Sequence, residues 1–154
     1  LKQGATIALI SDAGMPLVSD PGYRLVKEAA EQGIPVTACP GPSAVLTGLA
    51  LSGLPTDRFL FAGFVPQKQG ERRRLFAEFA KIKATLIFFE SPHRVIETLH
   101  DLAEALPGRS VAVTRELTKL HEEVLRGTAS GIAERLAARR VAGALGFVRL
   151  LASL

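Results

Sequence analysis

The sequence predicts an α/β fold, and three observations carry that expectation. Short apolar runs alternate with stretches whose apolar residues recur at helical spacing, and polar turns rich in Gly and Pro follow those runs. A hydrophobic content of 47% in 154 residues is also enough to bury a core.

Taken in order, Leu1–Gly4 reads as a helix tail closed by a glycine C-cap, so the chain is expected to open inside a βα alternation with a front portion before it. Ala5–Ile10 is an apolar run of strand length that stops at Ser11, and Ser11–Gly22 is a long polar loop punctuated by Gly14 and Gly22. Helical spacing over Tyr23–Gln32 ends at Gly33, and Ile34–Ala38 reads as the next strand. Strand, helix and strand make a βαβ unit, which implies a parallel pair. Pro40-Gly-Pro-Ser-Ala then leads into a helix over Ala44–Leu51 with Ser43 at its N-cap.

Ser52-Gly-Leu-Pro-Thr-Asp is turn-rich and coincides with a change in charge. A domain boundary is expected there, with residues 1–54 ending a first α/β domain and residues 55–154 forming a second. Strands are predicted over Phe59–Phe64, Ala84–Phe89, Ser110–Thr114 and Val124–Thr128, and helices over Glu71–Lys81, Arg94–Ala105 and Ser130–Ala138. Leu145–Leu151 is a candidate last strand whose pattern Gly143, Gly146 and Arg149 interrupt.

The net charge of +4 is unevenly placed: residues 1–57 hold three basic residues against five acids, and residues 58–154 hold sixteen against ten. A basic second part suits docking on an anionic macromolecule such as RNA, although an excess of this size also fits an ordinary solvated surface. The single cysteine, Cys39, rules out an internal disulfide framework, and no Cys/His grouping has metal-ligand spacing. With no apolar run of bilayer-spanning length, a reducing cytoplasmic setting is the expectation.

Polar residues collect where strands are expected to end: Asp12, Asp20, Ser43, Glu90, His93, Arg94, Arg115, Glu116, Lys119 and His121. Ser11 and Ser43 have no assigned base and Cys39 lies inside an apolar run, so covalent catalysis has little support. Backbone turns, carboxylates and cations instead suit a nucleotide-like cofactor, because glycines admit close backbone approach and carboxylates bond ribose hydroxyls. Neither glycine turn has GxGxxG or GxxxxGK[ST] spacing, which excludes the usual dinucleotide and nucleoside-triphosphate loops. Two bland alternatives stand beside this: Pro-Gly-Pro-Ser as a tight strand-to-helix connection, and Asp12 and Asp20 as makers of Asx turns.

Five motifs in this order, Ser11-Asp-Ala-Gly-Met-Pro-Leu-Val-Ser-Asp-Pro-Gly-Tyr23, Pro40-Gly-Pro-Ser-Ala44, Ser52-Gly-Leu-Pro-Thr-Asp-Arg-Phe59, Phe89-Glu-Ser-Pro-His-Arg94 and Arg115-Glu-Leu-Thr-Lys-Leu-His-Glu-Glu123, closely resemble the ribosomal RNA methyltransferases of the tetrapyrrole methylase superfamily. The resemblance runs from Ser11 to about Gly127. It implies the end of a parallel-sheet first domain, a second α/β domain with a mixed sheet, a cleft between them, and a homodimer. It also implies S-adenosyl-L-methionine as methyl donor and a cytidine ribose 2′-hydroxyl of small-subunit ribosomal RNA as acceptor.

By that resemblance the cofactor would be lined by Ser11, Asp12, Ala13, Gly14, Pro40, Gly41, Ser43 and Ala44 from the first domain, and by Phe89, Glu90, Arg115, Glu116 and Leu117 from the second. Asp12 and Glu90 are the leading candidates for the proton acceptor, with His121 in reserve. Lys68, Arg72, Arg73, Arg74, Arg94 and Lys119 are candidate phosphate contacts, and no metal is expected. The superfamily's first strand and its Pro-Ile-Gly-Asn turn are not in this sequence, so the chain is expected to be a partial enzyme. Near the other end, Gly143-Ala-Leu-Gly-Phe-Val-Arg-Leu-Leu151 only roughly matches the superfamily's closing strand. Methylation of a tetrapyrrole ring and a non-catalytic binding or dimerisation module remain the competing readings.

Overall fold

The structure is a computed structural model that describes residues 1–12, 14–139 and 148–153. It divides into two compact units, Leu1–Ala44 and Val45–Leu154.

The first unit is built of loops around one helix, α1 (Tyr23–Glu31). The helix ends as its sequence requires. Gly33 takes a left-handed φ of 67°, its N–H donates to Ala30 O at 3.1 Å, and the Ile34 N–H donates to Ala29 O at 2.9 Å. These are the two bonds of a Schellman cap, and they satisfy carbonyls that the helix cannot. The expected parallel pair is corrected: neither residues 5–10 nor residues 34–38 form a strand in the described structure. Ile7, Leu9, Ile10 and Val36 stand exposed. Parallel strands persist where both faces are covered, and two strands alone bury too little to hold a ladder.

The second unit is a three-layer α/β arrangement. Its elements are α2 (Ala44–Ser52), β1 (Phe59–Phe64), α3 (Gln69–Phe79), β2 (Thr85–Glu90), α4 (Val95–Ala105), β3 (Ser110–Arg115), β4 (Glu123–Gly127), α5 (Ala129–Ala138) and β5 (Val148–Ser153). The five strands form one mixed sheet in the order β1-β2-β5-β3-β4, with β1 parallel to β2 and the other neighbours antiparallel. The candidate last strand is thus a central one, displaced from its expected span to Val148–Ser153; residues 143–147 of that motif lie outside the described residues.

Alternation along the strands fills both faces. Leu86 and Phe88 of β2, Val111 and Val113 of β3 and Leu125 of β4 face a core closed by Phe76 of α3, Val95, Leu99 and Leu102 of α4, and Ile132, Ala133 and Leu136 of α5. Ile87 and Ala112, one residue out of phase, meet Val45 and Leu49 of α2 on the other face. Phe61 and Phe89 pack beside them edge to face, with centroids 4.8 Å apart.

Buried cations fasten the helices. Arg72 of α3 and Asp101 of α4 are each 2% exposed and pair through Nη2–Oδ2 at 2.5 Å and Nε–Oδ2 at 2.6 Å, while Gln69 and Arg73 donate to Asp101 Oδ1. Arg109, also buried, donates to the carbonyls of Ala80 and Ile82 past the end of α3. Arg126 of β4, an exposed residue, does the same for α2, reaching Ser52 O at 2.8 Å and Leu51 O.

Candidate functional site

The two glycine turns of the first unit come together. An added Cβ on Gly14 would stand 3.1 Å from Pro42 O, and one on Gly41 would stand 3.8 Å from Gly14 O. The Gly41 N–H points to Met15 Sδ at 3.2 Å. Gly14 holds a φ of 78°, so both the backbone conformation and the space require its lack of a side chain. Ser11 donates to Asp20, closing the intervening loop across nine residues, and Leu17 and Ser19 take left-handed φ values within it. Strain in non-glycine residues held by such a closure is characteristic of binding loops. Asp20 therefore has a structural task as loop staple. Asp12 is exposed, and Ala13 lies outside the described residues.

In the second unit the sheet brings the Phe89–Arg94 and Arg115–Glu123 motifs to one end. Glu90 of β2 and Arg115 of β3 both register with Val148 of β5, one on each side. They are thus two strand spacings apart, about 10 Å. Phe89, Glu90 and the Arg115–Leu117 corner share that end of the sheet, as ligand-binding loops of α/β folds do.

Glu90, expected as a proton acceptor, sits inside the turn from β2 into α4. It is fully buried, and its carboxylate accepts from the Ser91 N–H and Thr98 Oγ1, each at 2.5 Å, and pairs with Arg94 Nη2 at 2.7 Å. A buried carboxylate so fully engaged braces the turn from β2 into α4. Arg94 is correspondingly committed to Glu90. Arg72, expected on an RNA-facing surface, is corrected for the same kind of reason: it is the buried half of the Asp101 pair. Burial acts to raise the Asp101 carboxyl, but hydrogen bonds from Arg73, Arg72 and Gln69 outweigh it and hold the group below the usual carboxylate range.

Of the remaining cations, Arg73 is half exposed and bonds Asp101 and Glu104, each at 2.8 Å. Lys68 and Lys119 are exposed, with loose partners in Glu71 and Glu116 at 3.3 Å. Arg74 is exposed. His121 is exposed in the loop after β3. That loop is closed at its base by Arg115 Nε to Glu123 Oε2 at 2.6 Å and by Arg139 to Glu123 Oε1. Burial opposes the Glu123 charge, but Arg139 and Arg115 bond it and hold its carboxyl low. Glu123 was not singled out from sequence, although an Arg–Glu pair eight residues apart across a short hairpin is a readable signal.

The sequence matches the family of Tetrapyrrole (Corrin/Porphyrin) Methylases over residues 1–133. It is 55% identical over 139 residues to the ribosomal RNA small subunit methyltransferase I of Mesorhizobium japonicum, covering 90% of this chain and 47% of that protein. The protein of the same name from Thermotoga maritima is 48% identical over 130 residues, with 84% of this chain and 58% of that one covered. The chain spans about half the length of the curated relatives it matches. Among solved structures, a uroporphyrin-III C-methyltransferase from Thermus thermophilus complexed with S-adenosylhomocysteine superposes with a TM-score of 0.54 at 20% identity, over 90% of this chain and 62% of that one.

Proposed function

The chain belongs to the tetrapyrrole (corrin/porphyrin) methylases, and we propose that it is part of an enzyme that transfers a methyl group from S-adenosyl-L-methionine to a cytidine ribose 2′-hydroxyl of small-subunit ribosomal RNA. The observation that carries this reading is the 55% identity, over 139 residues, to a protein named as a ribosomal RNA small subunit methyltransferase. Residues 1–54 are proposed as the end of the cofactor-side domain and residues 55–154 as the second domain. By packing, α2 goes with the second unit. A homodimer and a cytoplasmic setting belong to the same proposal, and among the described residues no helix is long and apolar enough to cross a membrane.

What supports this lining for the cofactor is the close approach of the two glycine turns, Gly14 against Pro42 and Gly41, which leaves their backbone without side-chain cover. Ser11, Asp12, Ala13, Gly14, Pro40, Gly41, Ser43 and Ala44 would hold the cofactor there, and Phe89, Arg115, Glu116 and Leu117 would meet it from the second domain, with the buried Glu90 supporting Phe89 from beneath. When bound, S-adenosylmethionine supplies an electrophilic sulfonium methyl group. Backbone N–H groups of the two turns would orient polar groups of the ligand without moving, so positioning supplies much of the rate. Asp12, exposed and free of any buried ion pair, is the preferred proton acceptor, with His121 in reserve and Glu90 bracing the turn. Lys68, Arg73, Arg74 and Lys119 would meet phosphates.

Labelled methyl transfer to isolated small ribosomal subunits, set against transfer to a porphyrinoid and run beside a full-length relative, tests the reading. Label on the ribosomal RNA is expected. Label only on the porphyrinoid would overturn the substrate, and failure to bind S-adenosylmethionine by calorimetry would leave a non-catalytic module.

A further inference from the structure

Pro40-Gly41-Pro42 contains one backbone N–H, that of Gly41, because proline has none. This donor points to Sδ of Met15 at 3.2 Å, across 26 positions of the chain. Met15 is the only methionine in the sequence. A thioether is a weak acceptor, but it is carried on a soft, adaptable side chain that fills irregular gaps.

Both partners of the contact stand on stiffened backbone. Met15 precedes Pro16 and Gly41 precedes Pro42, and a residue before proline is biased toward extended conformations. The neighbouring residues interleave with them. A Cβ on Gly14 would stand 3.1 Å from Pro42 O, and one on Gly41 would stand 3.8 Å from both Gly14 O and Met15 Sδ. Met15 is half-buried whereas Gly14 and Gly41 are exposed. Van der Waals contact between two such turns is non-directional, while a hydrogen bond fixes both a distance and an orientation.

We propose that Met15 is the strut that sets the spacing of the two glycine turns, and through that spacing the affinity for the methyl donor. The proposal rests on the reading of these turns as cofactor lining. A ligand that bridges two turns binds more tightly when their backbone groups already stand at the bound separation, because ordering them on binding costs affinity. Met15 acts through Gly41 and is thus a positioning residue. A hydrocarbon side chain of equal length would fill the same space without accepting the N–H, which separates the role of the sulfur from that of packing.

The test uses the full 154-residue chain with norleucine or selenomethionine in place of Met15, a replacement made specific by the single methionine. Solvent exchange of the Gly41 amide, followed by NMR without ligand, reads the strut; calorimetry with S-adenosylmethionine reads its consequence. Norleucine is expected to speed exchange at Gly41 and to weaken binding about five-fold, the size of one neutral hydrogen bond. Selenomethionine, which keeps a chalcogen acceptor, is expected to restore both. The thermal midpoint is expected to be unchanged, since Met15 lies outside both core clusters. Exchange at Gly41 that ignores the norleucine replacement overturns the strut. Faster exchange with unaltered affinity overturns its part in cofactor binding, and weaker binding that selenomethionine fails to restore overturns the role of the acceptor. If the unaltered chain binds no S-adenosylmethionine where a full-length relative does, the failure falls on the cofactor reading, and acceptor-dependent exchange at Gly41 still upholds the strut.

Discussion

Between residues 1 and 44 a single described residue, Ala29, is buried, whereas the described residues of 45–154 enclose apolar clusters on both faces of one sheet. The first unit is held by local devices: a Schellman cap on α1, a Ser11–Asp20 staple, and glycines that let two turns touch. The second is held by contacts between residues far apart in sequence, such as Arg72 with Asp101 and Arg126 with Ser52. Local chemistry is enough to shape a loop, but it does not make a strand. Ala5–Ile10 and Thr85–Glu90 are both short apolar runs, and among the described residues only the second pairs with neighbouring strands.

The largest expected effect is on the second unit. Asp101→Ala strands the Arg72 guanidinium in a buried site, which costs about 3–5 kcal/mol. Hydrogen exchange should show lost protection across α3 and α4 and no change in α1. Equal loss in α1 would break the distinction between the units.

Acid reaches the same contacts without mutation. The Asp101 and Glu123 carboxyls are both held low in the folded chain. Their contribution is therefore fully present above the unfolded carboxylate value of about 4 and is lost as the pH falls below it toward the folded values. The denaturant midpoint of the second unit should be level from neutral pH to about 5 and then decline. A midpoint that stays level down to about pH 2 would remove these two carboxylates from the account.

A third effect belongs to the first unit alone. Gly14→Ala forces a side chain into a left-handed φ and against Pro42 O, a cost of about 1–2 kcal/mol. S-adenosylmethionine binding, followed by calorimetry, should weaken while exchange protection of the sheet is unchanged. Arg126→Ala is milder, about 0.5–1 kcal/mol, and should fray the end of α2 selectively. Smallest in stability is Arg74→Ala, an exposed residue whose loss is expected to stay within about 0.5 kcal/mol. It should instead make RNA binding less steeply dependent on salt, and an unchanged slope would take Arg74 off the interface.

The same division decides what was legible in the sequence. Helices α1 and α4 carry their periodicity and end signals locally, and the structure places them within a residue or two of expectation. Strands β1, β2 and β3 were legible because uninterrupted apolar runs found a sheet. The position of β5 in the middle of that sheet was not, since strand order depends on partners that no local pattern names. The basic second part was legible as a sum but not by residue. Arg72, Arg94, Arg109 and Arg126 contribute to the charge count, yet each is engaged with a carboxylate or a helix-end carbonyl. Periodicity around Arg72-Arg-Arg74 cannot say which of three adjacent arginines turns inward.

The central place of β5 also sets an order of events. Strands β1 and β2 can pair with each other, and so can β3 and β4, but the two ribbons join only through Val148–Ser153. During synthesis both ribbons leave the ribosome before the segment that unites them, each with an open inner edge. Long-range pairing of this kind is slow and exposes those edges. Joining of the two ribbons is thus timed by translation of β5, and a pause before residue 148 would prolong the interval in which β2 and β3 are open to wrong partners.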